Sequence, residues 1–500
     1  MLSILLRHVS RLHAPWVVER SREPLLVQLR SGLSDTSQVF GAIDRYLLHE
    51  MTAVRAPGAA IVIVKGDRIV HARGFGRADP SGGPITPITP FILGSMTKSF
   101  TALAVMQLAE SGRLTLDDPV QRYLPWFHVR DRSASARITI RHLLNQTSGL
   151  PKSAGLQLIR GANATTQRDE MRLFERVRLH YEPGEGFEYS NANYWLLGLI
   201  VERAAGEPFD AYVRRRIFAP LQMQRSFTSE SEARAHGLAQ GYRVWFGFPR
   251  AQAMPYYARE LSVGYLISDA EDVGRYLIAH LNGGRVDDTS VVSAAGLAQL
   301  HTPPRGFPYA MGWLTDFVAG VPVLWHTGAV ANYHGDMLLM PSAGWGIAVL
   351  SNVNNFLLET QFSGAIKGAA ALLLGYQPAS PSWLRYRTLY WLITALAIVW
   401  LVWRGYQVVS LRRWIKRADV STVDRNELIR HPALTLIDPG LSIGLLFGVP
   451  AFLEAPLSTM MWFAPDMTSW LVVNTIVSVL VFGLRLALLA PSLRRESQSL

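Results

Sequence analysis

At 500 residues and 49% apolar content the chain is too long for one ordinary domain and ample for a large core. It has no cysteine, which excludes disulfide frameworks, thiolate zinc sites and cysteine nucleophiles. The net charge of +11 is unevenly placed, with 12 basic against 7 acidic residues from Tyr376 onward and 37 against 31 before it. That pattern points to membrane-flanking charge and away from a nucleic-acid groove.

Residues 1–35 carry charges every few positions and read as an N-terminal extension. Their longest apolar run, LSILL, is too short for the core of a signal peptide. From Pro57, the segment PGAAIVIVKGDRIVHARGFG predicts two strands around a Gly-Asp turn. Ser95 to Ser111 predicts a helix with Phe100, Leu103, Ala104 and Leu108 in register. Asp117-Asp118-Pro119 predicts the cap of a short helix, and Ile138 to Met254 mixes helical patterns with Gly/Pro-rich loops. The runs VPVLWHTG, DMLLMP and WGIAVLSN, separated by turn residues, predict an antiparallel sheet. A helix over Glu359–Leu374 follows, and residues 376–384, beginning YQPASPSW, read as a linker. The first domain is thus expected to span 36–375.

Residues 385–500 have a different texture. Thr388–Trp403, Pro439–Leu453 and Met467–Leu484 are uncharged, and with their flanks predict spans near 388–409, 434–456 and 467–490. Each reaches about 20 residues, enough to cross ~30 Å of hydrocarbon. RRWIKR follows the first span and LRR the third, while the loop between the second and third has no basic residue. The positive-inside rule then predicts a multi-pass protein of the cell membrane, with a cytoplasmic C-terminus and the first domain outside. A domain of this size seldom crosses a membrane without an export signal, so either the true start lies upstream of Met1, or a short cryptic signal is used, or the domain faces inward. Asp438 and Arg485 fall about a turn inside the inner boundary, where they are expected either to pair or to snorkel separately to the interface.

The chemistry starts in FILGSMTKSF. Only five lysines stand against 44 arginines, yet Lys98 sits three residues after Ser95 at the mouth of an apolar helix. Helical spacing puts both on one face, and a buried lysine, unlike arginine, can give up its proton near neutral pH. A Ser-Lys pair is one way to activate a weak hydroxyl nucleophile. FEYSNANY contributes Tyr189 and Asn191. A phenol near an ammonium is expected to have a lowered pKa and to pass protons to a leaving group, and an asparagine can hold a substrate amide. LWHTGAV places His326, Thr327 and Gly328 at a strand end, where glycine permits close pairing with a substrate backbone and the threonine hydroxyl can reach an anion. The histidines are scattered without metal-ligand spacing, so neither metal nor cofactor is expected.

Ser-x-x-Lys, Tyr-x-Asn and His-Thr-Gly, in this order and at these long spacings, resemble the serine β-lactamase and penicillin-binding-protein superfamily. The chain is closer to the group of class C β-lactamases, D-alanyl-D-alanine carboxypeptidases and family VIII esterases than to class A enzymes, whose glutamate loop is missing. ITIRHLLNQTSGLP (138–151) and PGEGFEYSNANYWLLGLI (183–200) also resemble that family's text, and the likeness runs from about Thr36 to Gly375. A soluble domain followed by membrane segments is similar to FmtA-like proteins. The resemblance implies an α+β fold of the β-lactamase/transpeptidase type, with an antiparallel sheet covered by helices, a mainly helical lobe and a C-terminal bundle of about three transmembrane helices.

The same resemblance implies that Ser95 is the acylated nucleophile, Lys98 its base or relay, and Tyr189 a second acid/base. It makes Asn191 and His326-Thr327-Gly328 substrate-binding, with the N–H groups of Ser95 and Ala329 as oxyanion hole. The implied partners are a wall peptide, a β-lactam or an ester, and the lipid bilayer. His326 stands where most β-lactamases carry lysine, which weakens β-lactamase activity specifically. Three readings follow: an acyl-transfer hydrolase of D-Ala peptides or D-amino acid amides and esters, a carboxylesterase, and a weakly catalytic sensor of penicillins or wall peptides.

Overall fold

In the computed structural model, which describes residues 36–160, 167–355, 359–378, 386–417, 432–453 and 455–496, the run Gly58–Lys65 forms strand β1. It is buried at every position but the last, so both of its faces are covered. It turns at Gly66-Asp67 into β2 (Arg68–Gly76), as the hairpin signal predicts. The three predicted later strands form β5 (Val321–Val330), β6 (Tyr333–Met340) and β7 (Trp345–Ser351), and two that the sequence reading does not name, β3 (Tyr309–Ala310) and β4 (Trp313–Val318), precede them. All seven make one antiparallel sheet in the order β2-β1-β7-β6-β5-β4-β3.

Helices α1 (Thr36–Val54), α2 (Thr97–Glu110), α3 (Asn191–Ala205), α4 (Leu261–Gly264), α5 (Ala270–Leu281) and α6 (Glu359–Leu373) pack on the sheet or on one another. Strand side chains alternate between faces. Ala59, Ile61, Ile63, Leu338 and Ile347 therefore share one core with Ile43 and Met51 of α1 and Ile366 and Ala369 of α6. Ala60, Val62, Val64, Met337 and Leu350 face the other way, into a larger core shared with α2, α3 and α5. Short helices Ile140–Leu144, Lys152–Arg160, Gln167–Phe174 and Phe209–Val213 complete the helical lobe. The fold is α+β as expected.

Two expectations shift in detail. The helix predicted from Ser95 begins at Thr97, after a 3-10 turn over Gly94–Met96, and is buried at every position from Thr97 to Met106. That all-round burial makes it the central helix of its lobe, not a half-exposed one. The helix after Asp117-Asp118-Pro119 is a single 3-10 turn, Val120–Arg122, and Asp118 braces it by accepting from Thr115 N at 2.8 Å and from Arg122.

The chain divides into two compact units, the second comprising Val244–Phe248 and Trp383–Leu500. In the second unit lie α7 (Tyr386–Arg417), α8 (Pro432–Phe452), α9 (Leu457–Phe463) and α10 (Pro465–Glu496). Pro465–Leu484 is the one stretch, among the described residues, long and apolar enough to cross a membrane alone. Asp438–Phe452 and Leu457–Phe463 qualify only as a pair bent by 78°, and Tyr390–Tyr406 is apolar but shorter. The second predicted span therefore does not run on to residue 456; it stops at Phe452, two residues after Pro450, and turns.

Asp438 has partners that the sequence reading does not name. Arg404 of α7 pairs with its carboxylate, and Ser478 Oγ donates to the same oxygen at 3.1 Å. Arg404 is buried and also donates to Asn474 Oδ1 and Ser442 Oγ, each at 3.1 Å. The side chain of Arg485 lies outside the described residues. Removing one member of a buried ion pair strands the other, whereas removing both does not. Arg404→Gln and Asp438→Asn are each expected to cost about 2–4 kcal/mol of detergent-phase stability, with the double change costing at least ~1 kcal/mol less than their sum. Additive losses in a thermal or denaturant titration would dissolve the pair.

Candidate active site

Two glycines bring the site together. Gly94, in the turn before the nucleophile helix, has φ +57°, and a Cβ there would lie 2.4 Å from Ala329 N. A Cβ on Gly328 would lie 1.9 Å from Leu93 O. The 93–96 turn and strand β5 thus touch backbone to backbone, with no room for a side chain between them. That contact brings the turn that carries Ser95 against the backbone of Gly328 and Ala329.

Ser95 is half-buried, and Lys98 is 0% exposed. Lys98 Nζ lies 2.9 Å from Ser95 Oγ and donates to Val263 O, in α4, at 2.9 Å. It also sits 5.1 Å from the centre of the Tyr189 ring and 5.8 Å from that of Tyr194. Burial pushes the lysine down to about 7, against the opposing charge of Glu260. An amine so placed can be neutral near pH 7, and its lone pair can then accept from Ser95 Oγ–H.

Tyr189 departs from expectation. Burial holds its phenol above the ordinary value, although Ser95 pulls it back and Glu359 adds to the rise. A lowered value would require a charged ammonium next to it. The same exclusion of water that neutralises Lys98 keeps Tyr189 protonated, so in the resting site it is a proton donor.

The loop carrying Tyr189 is held from below. Gln146, at φ +59°, accepts from Ser190 N at 3.0 Å and Asn193 Nδ2. Ser148 Oγ donates to Asn193 Oδ1 at 2.6 Å, and Ser190 Oγ to Pro151 O at 2.9 Å. These residues lie inside the two long stretches quoted for the resemblance, but their positioning work is visible only in the fold. Asn191 opens α3, and its Oδ1 is buried without a hydrogen-bond partner, an arrangement open to a substrate N–H.

His326 also behaves differently from expectation. It is 1% exposed, with Nδ1 at 2.6 Å from Thr327 O and Nε2 at 3.0 Å from the Tyr309 hydroxyl. A carbonyl can only accept, so Nδ1 carries the proton and Nε2 accepts from Tyr309. Burial, helped by the Lys98 charge, pushes the ring down to about 3, so it stays neutral. Both nitrogens are occupied inside the protein, and a substrate carboxylate gains no charge from it. Thr327 lies opposite Asp336 on β6, off the His326 face, and its Oγ1 is buried without a partner. Pairing of β4 with β5 stops at Trp325, leaving His326–Val330 with an open edge among the described strands. An extended substrate could add there.

Residues 43–362 match the Beta-lactamase family, more than half of the chain, and the chain belongs to it. Among its relatives is Protein flp of Staphylococcus aureus (strain MW2), 31% identical over 320 residues. The match covers 63% of each chain, so the likeness spans under two thirds of that relative's length. Penicillin-binding protein 4 of Amycolatopsis lactamdurans is 31% identical over 323 residues, 60% of this chain and 82% of that one. An octameric penicillin-binding protein homologue from Pyrococcus abyssi superposes with a TM-score of 0.60 at 29% identity, covering 68% of this chain and 78% of the other.

Proposed function

We propose that the chain is a membrane-anchored serine acyl-transfer hydrolase of D-Ala wall peptides or related D-amino acid amides and esters. One observation carries the reading: a fully buried lysine, its proton affinity lowered to about 7, sits 2.9 Å from a serine hydroxyl. Ser95 Oγ attacks the acyl carbon as its proton passes to Lys98. Tyr189 protonates the departing amine or alcohol and is reprotonated by the Lys98 ammonium, leaving an acyl-serine. Ser95 and Ala329 N–H groups would hold the oxyanion, and the open edge of β5 with Asn191 would hold the donor. The C-terminal helices are proposed as three spans with the hydrolase unit outside, on the strength of their flanking arginines.

A second reading, carboxylesterase, is favoured by the neutral, enclosed His326, which offers no charge to a substrate carboxylate. Fluorescent penicillin, a p-nitrophenyl ester and a D-Ala-D-Ala peptide separate the two. Slow stable labelling of Ser95 with peptide turnover supports the first, and fast ester turnover alone the second. Because Lys98 must be neutral to accept a proton, acylation should rise about tenfold per pH unit up to about 7 and then level. A rate flat from pH 5 to 8 would remove Lys98 as the base. An impermeant penicillin should label intact spheroplasts; labelling only after lysis would place the unit inside.

A further inference from the structure

The open edge of β5 begins at His326, and one tyrosine stands at its mouth. Pairing of β4 with β5 stops at Leu314–Trp325, and Tyr309 of β3 pairs with that same Leu314. The turn joining β3 to β4 is pinned to the nucleophile helix, because a Cβ on Gly312, at φ +83°, would lie 2.7 Å from Ser99 Cα. Tyr309 is thus fixed in place, and it is 0% exposed. Its ring centre lies 5.9 Å from that of Tyr189 and 6.0 Å from that of Phe187. The His326 ring is 5.8 Å away and edge-on to it. A tyrosine buried this deeply needs a partner for its hydroxyl, and that partner is His326 Nε2 at 3.0 Å.

To serve a substrate carboxylate, His326 must offer an N–H or carry a charge. Its Nδ1–H is committed to Thr327 O at 2.6 Å, so Nε2 would have to take up a proton and do both. The Tyr309 hydroxyl sits on that lone pair. We infer that Tyr309 is a specificity-determining residue of this site: by donating to His326 Nε2 it closes the one ring atom that a carboxylate could use, and so selects donors with no free carboxylate beside the scissile bond. The role rests on the acyl-transfer reading above and narrows it, to D-amino acid amides and esters and away from peptides ending in a free D-Ala. The groups that face the ring from other elements offer a carboxylate no help. Burial, with Lys98 of α2 adding to it, disfavours an imidazolium. Tyr189, on the loop before α3, lies 6.1 Å away between ring centres and is protonated and uncharged. A bound carboxylate would offset the burial, but it would still find the lone pair covered. The wall that Phe187, Tyr189 and Tyr309 build is aromatic, which suits an uncharged donor.

The test uses two esters of N-acetyl-D-alanine that differ in one group, the m-carboxyphenyl and the m-carbamoylphenyl ester, with the full-length protein in detergent. Wild type should acylate Ser95 faster from the carbamoyl ester. Tyr309→Phe keeps the ring against Phe187 and Tyr189 and removes only the hydroxyl. With Nε2 open, an arriving carboxylate can pair with a protonated ring. The ratio of kcat/KM for the carboxy ester over the carbamoyl ester should then rise about fivefold, the effect of one partly wet ion pair. In a His326→Phe background the same change should leave that ratio where it stands. In 15N-histidine NMR the His326 signals are those lost in His326→Phe, and Tyr309→Phe should move Nε2 to the position of a free lone pair. A merely structural tyrosine would lower both rates alike and leave the ratio alone. An unmoved or falling ratio in Tyr309→Phe overturns the inference, as does an unmoved Nε2 signal, a wild type that prefers the carboxy ester, or a rise that persists without His326. Failure of both esters to acylate the wild type would instead bring down the acyl-transfer reading, and this role with it.

Discussion

Lys98→Arg is expected to abolish acylation of Ser95 almost as fully as Ser95→Ala, a loss of at least about a thousandfold. Charge and length are nearly kept, so simple electrostatics would forecast a mild effect. The geometry forecasts a severe one. Lys98 lies in a fully buried slot between Ser95 Oγ and Val263 O, each at 2.9 Å. Arginine stays protonated near neutral pH, carries five donors, and cannot take a proton from serine. Stopped-flow labelling with a fluorescent penicillin or ester, beside circular dichroism to show a folded protein, reads the outcome. An arginine variant retaining a tenth of the rate would show that the lysine is not the base.

Gly328→Ala should be nearly as damaging, although the residue bears no chemistry. Its new methyl would stand 1.9 Å from Leu93 O and 3.1 Å from Met96 N, both backbone atoms that cannot swing aside. Strand and turn must separate, taking Ala329 N–H away from Ser95. A loss of more than about a hundredfold in acylation is expected, with about 3 kcal/mol or more of stability. Gly364→Ala in α6 is the control: nothing lies within 4 Å of its added methyl. That change should be neutral or stabilising by up to ~1 kcal/mol. Equal behaviour of the two alanine variants would mean that the close contact is unimportant.

Much of this was readable before any coordinates. Ser95 and Lys98 are separated by one helical turn in the sequence and in the fold, and the strand alternation of VPVLWHTG and WGIAVLSN is a local pattern. What stayed hidden depends on water and on distant neighbours. The stretch ARELSVG (258–264), whose Val263 O accepts from Lys98, carries no motif, and its role appears only when α2 and α3 are packed against it. Tyr189 was assigned a lowered pKa because proximity to lysine is visible in a motif, whereas desolvation is not. His326 looked like a strand-end group open to substrate, and only the approach of Tyr309 shows that its ring is spoken for. In the C-terminal helices the Arg404–Asp438 pair joins two helices, and hydropathy cannot tell which helix faces meet.

The ladder between β1 and β7 has a consequence in time. It pairs Ala59 with Ser351 and Lys65 with Trp345, and Ser351 Oγ donates to Gly58 O at 3.0 Å across 293 positions of sequence. This interior seam of the sheet is therefore stitched from the first and the last of its seven strands to be made. A growing chain cannot complete this seam until residues near 351 have been synthesised, by which point β1 has long been waiting with apolar side chains on both faces. Sheets joined over such separations close slowly, because the intervening loop must be collapsed before any pairing rewards it. The delay leaves the unit open to aggregation or to a chaperone through most of its synthesis.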